Sequence, residues 1–170
     1  SAGTKALDLT GGAVNTYWRK GEKVAVYLGG EKLGTLEVTS NTNVNPATLE
    51  GKIKNSDGIV GDATLTLIFP GREDGLWTYQ GQDGSAPSAT GTMATGFDYA
   101  TASLTIATVD EEEITVTGSP TFETQQSIFC FSFMDKTSGD PIAVKEVTFY
   151  SSVFNKIAQN RSYSSDWTAE

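Results

Sequence analysis

The chain has 170 residues, with 12 Lys and Arg, 21 Asp and Glu, no His and one Cys, so its formal net charge is −9. One domain is expected at this length, and a chain of this size can fold without a metal or a disulfide. The lack of His excludes Ser-His-Asp and Cys-His nucleophile systems, His-ligated zinc and a His general base. The lone Cys130 excludes an intrachain disulfide and a Cys cluster. We expect no cofactor and no metal.

The net negative charge also limits the kinds of partner that we expect this chain to bind. Nucleic acid and anionic membrane surfaces both require clustered Lys and Arg, so neither is expected to bind this chain. No apolar run approaches the roughly 20 residues of a membrane span. The chain opens at Ser1 without Met, which we interpret as a trimmed form that has lost a targeting segment.

The composition favours β structure, because Thr is more than twice as frequent as Leu and suits a pleated, half-buried surface. Alternating apolar residues predict strands over 23–28 and 32–39, and Gly29-Gly30 predicts that a tight turn joins them as a hairpin. Within the first strand, Val24 and Val26 share a face.

The alternation continues along the chain. Strands are predicted over 47–54 and 62–69, with a turn at 55–58 between them and Pro70-Gly71 after the second. Residues 71–96 are rich in Gly, Ser and Thr, which predicts a long connection with a short strand at 76–79.

Two more strands are predicted over 97–109 and 114–117, and the acidic run 110–113 is expected to turn the chain between them. This run lacks the alternating carboxylate spacing of a calcium loop, so we interpret it as a solvated turn.

The most apolar segment follows at 127–134, where Phe129, Phe131 and Phe133 alternate with other residues. We expect a central strand buried on both faces. A turn at 137–141 then leads to a strand at 142–151 that closes the sheet.

These segments give about seven to ten short strands, the spacing of an all-β sandwich. Residues 1–152 form the predicted sandwich domain. Residues 153–170 are polar without a clear period, so we expect a tail or linker.

Several segments together resemble the fimbrillin-like family, the fimbrial subunits of gut and oral anaerobes. Residues 15–27 are similar to its opening, in which a Trp precedes Gly-Glu and an alternating strand, as in Trp18, Gly21 and Glu22. Three further motifs resemble later family patterns in the same order: 47–54 with 67–70, 79–84 with 97–100, and 122–131.

The resemblance implies an immunoglobulin/transthyretin-like β-sandwich, with this chain as the N-terminal domain of a longer surface subunit. It implies export as an outer-membrane lipoprotein, proteolytic maturation after a basic residue, and polymerisation in which a strand from the next subunit fills a groove. The chain departs from the family because Cys130 lies inside a predicted strand and is not a lipidated Cys. Contact with a membrane is therefore expected only through a lipid anchor absent from this sequence.

Aromatic residues are the candidates for partner contact. Trp18 is interpreted as a core residue beside the first strand. Trp77 and Tyr79 either pack at the sandwich edge or stack on a sugar ring or a partner protein. Trp167 in the polar tail either inserts into a neighbour or has no ordered role.

Arg19 and Arg72 are the candidate processing sites, since one lies nearest the first strand and the other in a loop. Cys130 is interpreted as packing, because an apolar site makes a thiol inert.

The sequence therefore predicts a non-enzymatic structural subunit or accessory component of fimbriae. It would assemble with other fimbrial subunits at the cell surface by strand donation and support adhesion. A monomeric surface module that binds host glycan or protein is the alternative. A hydrolase with paired carboxylates is a third reading.

Overall fold

The computed structural model describes residues 7–8, 15–41, 44–73, 76–78, 98–110, 113–125, 131–146 and 160–162. Within these ranges all regular structure is β, and no helix occurs. The strands are β1 (Leu7–Asp8), β2 (Asn15–Thr16), β3 (Lys23–Leu28), β4 (Glu31–Val38), β5 (Leu49–Ile53), β6 (Thr64–Phe69), β7 (Leu76–Thr78), β8 (Ala100–Val109), β9 (Ile114–Thr117), β10 (Glu123–Thr124) and β11 (Asn160–Ser162).

One curled antiparallel sheet dominates the structure. Its strand order is β5-β4-β3-β6-β8, and β6 holds one edge of β8. Strands β9 and β10 share the other edge of β8, where β9 pairs with its end and β10 with its start. Two separate two-stranded sheets are formed by β1 with β2 and by β7 with β11. The all-β class predicted from the sequence is confirmed.

The hairpin of β3 and β4 forms as predicted. Gly29 and Gly30 have φ angles of 54° and 96°, which lie in the left-handed region that glycine adopts without a steric cost. The turn places Leu28 opposite Glu31 and sets the register of the two strands.

The core lies on one face of the sheet, and alternation explains its membership. Val24 and Val26 of β3 are buried there with Leu65 and Leu67 of β6 and Ile106 of β8. The opposite face carries a smaller buried cluster of Ala25, Tyr27, Ile68 and Tyr99. The faces predicted from the alternating pattern are therefore confirmed for these strands.

Trp18 is fully buried, which confirms its assignment to the core. Its ring meets the edges of Phe69 and Phe122, with ring centroids at 5.6 and 5.1 Å. Its backbone exchanges two hydrogen bonds with Val44. Trp18 thus ties three parts of the chain to the sheet.

The prediction of a buried central strand at 127–134 is wrong for residues 131–134, and residues 127–130 lie outside the described part of the chain. Residues 131–146, hereafter the arm, are exposed throughout. The arm turns at 136–138, and its two sides meet where Met134 bridges Pro141. An apolar alternation predicts a strand buried by its neighbours, but no layer of the described sheet covers these residues.

The predicted closing strand at 142–151 is also wrong for residues 142–146, which are exposed and not in a strand. The predicted turn at 137–141 is confirmed, because the Asp135 N–H donates to the Asp140 carbonyl at 2.8 Å and the Gly139 N–H donates to the Asp135 carbonyl at 2.9 Å.

Candidate functional site

The curled sheet leaves a groove of about 930 Å³ on its core face, hereafter the concave groove. Its floor consists of aliphatic side chains from the central strands: Val26, Leu65, Leu67 and Leu104. One wall is formed by β4 and β5 through Leu36, Leu49 and Ile53, and the other by the end of β8 and by β9 through Val109, Ile114 and Val116.

Strand pairing explains how distant residues meet on this floor. Val26 of β3 pairs with Leu67 of β6, and Leu65 pairs with Leu104 of β8. Since alternate residues of each strand face the same way, the pairing aligns these aliphatic side chains across the strands. The groove is therefore a direct consequence of the alternation in three strands.

Gly51 has no side chain, which allows β4 and β5 to lie close together at the groove wall. A Cβ atom at this position would lie 2.5 Å from the Thr35 carbonyl oxygen and 3.0 Å from the nearest Leu36 methyl carbon. Only glycine allows this close approach of the two strands. At Gly51 the groove wall is therefore formed by backbone atoms alone.

β5 is the edge of the sheet on this side. Among the described residues it pairs with β4 alone, which leaves its outer N–H and C=O groups without a neighbouring strand there. An unpaired edge is a template for a further strand. Because Leu49 and Ile53 also line the groove, a strand added to β5 would extend the groove wall on this side.

The charged residues of the groove lie at its two rims. Lys52 and Lys54 are on the β5 side, and Asp110 and Glu113 are on the β9 side. Lys54 forms an ion pair with Glu31 at 2.5 Å, and its hydrogen bond and charge hold the pKa of that carboxyl below the ordinary value. Both partners are exposed, so the pair contributes little to stability.

The predicted reversal of the chain between β8 and β9 is confirmed, because the two strands pair antiparallel and the Asp110 N–H donates to the Glu113 carbonyl at 2.9 Å, while residues 111–112 lie outside the described part of the chain. The Asp135 carboxylate caps the turn of the arm by accepting hydrogen bonds from the backbone N–H groups of Ser138 and Thr137, each at 2.8 Å. These two bonds hold the pKa of Asp135 below its ordinary value. No group of three metal-ligating side chains occurs in the described ranges.

Of the aromatic residues predicted to contact a partner, only Trp77 lies within the described part of the chain. Trp77 lies in β7, where its backbone pairs with Arg161 of β11, and the predicted short strand at 76–79 is confirmed for residues 76–78. The partner strand β11 lies within residues 153–170. No strand was expected there, because these polar residues show no clear hydrophobic period. Tyr79, Trp167 and Cys130 lie outside the described residues.

The two candidate processing sites are half-buried. The backbone N–H of Arg19 donates to a Glu22 carboxylate oxygen at 2.9 Å, and its guanidinium lies 5.7 Å from the Tyr17 ring centroid. The Arg72 carbonyl accepts a hydrogen bond from the Lys32 ammonium at 3.0 Å. Which of the two a protease would cleave after stays a prediction.

Sequence reasoning did not find the groove. Its signal was present in the apolar residues of β8 and β9, such as Leu104, Ile114 and Val116, which alternate with polar residues. An expectation that this face is fully covered hides the groove, because Val26, Leu65 and Leu67 line the groove and are also buried core residues. Only the wall residues Val109 and Val116, which are 40% and 38% exposed, show that the face is open at its side.

Comparison of the chain with known protein families, with curated proteins and with solved structures gives no match. In the described ranges, no helix is long and apolar enough to cross a membrane.

Proposed function

We propose that this chain is a structural subunit or accessory component of cell-surface fimbriae that assembles by β-strand addition and supports adhesion. The observation that carries the proposal is the concave groove beside the unpaired edge of β5. A strand from another subunit would pair with β5 through its backbone and place alternate side chains on the apolar floor. Main-chain hydrogen bonds and buried apolar area would then hold the subunits together without any catalytic group.

The proposal also includes the detailed fold, an immunoglobulin/transthyretin-like β-sandwich. The added strand would extend the curled sheet beyond β5 and help to close this β-sandwich. The resemblance to fimbrillin-like proteins supports this reading, together with residence at the cell surface, export across the inner membrane and a lipid anchor on the outer membrane.

Val116→Asp tests the proposal, because Val116 lines the groove and is 38% exposed, so the change should not disturb folding. A carboxylate covered by an added strand loses its water without gaining a partner. We expect the association constant to fall at least about tenfold, which corresponds to about 1.4 kcal/mol. The readout is oligomer formation after limited trypsin treatment, measured by size-exclusion chromatography with light scattering.

Val60→Asp is the matched control, since Val60 is an exposed valine that does not line the groove. It should assemble like the unsubstituted protein. Equal assembly of both variants would remove the groove from the proposal. A wild-type chain that stays monomeric after trypsin would instead favour the alternative, a monomeric module that binds carbohydrate or host protein, for which glycan binding by wild type and Trp77→Ala is the matching assay.

A further inference from the structure

The turn between β5 and β6 carries an Asp-Gly pair. The Ile59 N–H donates to the Ser56 carbonyl at 2.9 Å, which closes a β-turn. Asp57 and Gly58 occupy the two central positions of this turn, and both are exposed. Ile59 is buried in the core, so the exposed pair lies directly beside a residue on which the packing of the sheet depends.

Two features of the pair bring a carboxyl group and a backbone nitrogen together without competing contacts. Neither the Asp57 carboxylate nor the Gly58 N–H forms a hydrogen bond or an ion pair with any residue that the structure describes. Glycine also has no side chain, so nothing on Gly58 hinders the approach of its nitrogen to the Asp57 side chain.

We propose that Asp57 is a modification site, at which the residue isomerises spontaneously to isoaspartate with water as the only co-reactant. In the first step the Gly58 nitrogen attacks Cγ of the protonated Asp57 carboxyl group. A C–N bond forms, and the carboxyl O–H group leaves with the amide proton as water. The product is a five-membered succinimide ring that spans the two residues.

In the second step water adds to the backbone carbonyl carbon of Asp57 and breaks its bond to the Gly58 nitrogen. The main chain then runs through Cβ and Cγ of residue 57, and the former backbone carbonyl becomes a free carboxylate. The water lost in the first step is regained in the second, so mass and charge are unchanged. The main chain is longer by one methylene group.

Other exposed Asp residues lack one of these conditions. After Asp62, the Ala63 N–H donates to a backbone carbonyl at 3.2 Å. The Asp135 carboxylate accepts two backbone N–H bonds at 2.8 Å each. Asp140 is followed by Pro141, which has no N–H to lose. The turn at Asp57 therefore differs from these three sites in its contacts as well as in its sequence.

The extra methylene falls between Ser56 and Ile59, so it acts on the hydrogen bond that closes the turn. The turn also lies against the hairpin of β3 and β4. A Cβ atom at Gly58 would be 2.9 Å from Cδ2 of Leu28, and the Ser56 hydroxyl donates to a Glu31 carboxylate oxygen at 3.3 Å. A longer chain between these contacts changes either the hydrogen bond or the position of Ile59 in the core.

Peptide mapping of aged protein tests the site. The protein is kept for weeks at physiological temperature in mildly acidic buffer and is then digested with an endoprotease that cleaves before Asp but not before isoaspartate. We expect progressive loss of cleavage before residue 57, in a peptide of unchanged mass, with no such loss at Asp62 or Asp135. Cleavage before Asp57 that stays as complete as at these two residues would overturn the proposal.

Asp57→Glu is the matched control, because it keeps the charge but would have to close a six-membered ring, which forms more slowly. The fresh proteins should have the same Tm. After ageing, the wild type should melt roughly 2–4 °C below aged Asp57→Glu, the shift expected for one lost hydrogen bond in a chain of this size. The pairs Asp74-Gly75 and Asp83-Gly84 occur in both proteins, so a change there does not contribute to the difference.

The two measurements separate the site from its effect. Isoaspartate at residue 57 together with a lower Tm supports both. Isoaspartate at residue 57 with equal Tm values supports the site and overturns its effect on the turn. Neither measurement requires assembly, so a negative result here leaves the strand-addition proposal unaffected.

Discussion

At the scale of single residues, Trp18 shows how the sequence before β3 is fixed to the sheet. Its indole is fully buried between the edges of Phe69 and Phe122, and its backbone N–H donates to the Val44 carbonyl at 2.9 Å. Two segments far apart in the chain therefore pack on this one side chain, and its backbone ties a third segment to it. An aromatic residue in this position stabilises the core and is not available to a ligand.

Trp18→Ala should consequently be among the most destabilising substitutions in the described part of the chain. Loss of the buried ring and the cavity left behind are expected to cost about 3–5 kcal/mol. Urea unfolding of the variant and the wild type measures the difference. Val60→Ala, at an exposed position, should change stability by no more than about 0.5 kcal/mol. A cost below about 1 kcal/mol for Trp18→Ala would contradict this packing.

At the scale of elements, the hairpin of β3 and β4 depends on the backbone of its turn. A Cβ atom added at Gly29 would meet nothing within 4 Å, so a substitution there reports on the φ angle of 54° alone. We expect Gly29→Val to cost about 1–2 kcal/mol, because a branched residue resists the left-handed region.

Gly29→Asn is the matched variant for this turn, since Asn tolerates the left-handed region better than other side chains. It should cost clearly less than Gly29→Val in the same urea titration. Equal costs for the two variants would mean that the turn does not depend on the left-handed conformation.

The sequence predicts much of the main sheet at this scale. β3, β4, β5, β6, β8 and β9 are found within two or three residues of their predicted bounds. These strands alternate over at least four residues with Gly, Pro or acidic residues between them, so the local pattern and the fold agree. The face that carries Val24, Val26 and Leu67 follows from the same alternation.

Other elements could not be predicted, for two physical reasons. β1, β2, β10 and β11 have two or three residues each, which is too short for a period to be seen. The prediction of a buried strand in the arm was wrong for another reason. Alternation shows that a segment has an apolar face, but it does not show whether another part of the protein covers that face. Phe133 has the pattern of a core residue and the exposure of a surface residue. The concave groove could not be predicted, because alternation also does not show that a face assigned to the core is open at one side.

At the scale of the whole molecule, the described sheet carries a groove with a buried apolar floor and an exposed wall at Val109 and Val116, and among the described residues its edge strand β5 pairs on one side only. The same polypeptide carries an exposed apolar arm. On these three features we propose that the molecule acts by offering backbone and apolar surface to another chain. Its net charge of −9 makes copies of the chain repel one another at low ionic strength.

Amide hydrogen exchange at β5 tests this claim most directly. Exchange in peptides that cover Leu49–Ile53 is measured by mass spectrometry in the monomer and in trypsin-treated oligomers. We expect exchange at β5 to slow on assembly in the wild type and in Val60→Asp, while Val116→Asp stays monomeric and keeps the faster rate. Oligomers in which β5 exchanges as fast as in the monomer, with new protection elsewhere, would contradict this claim.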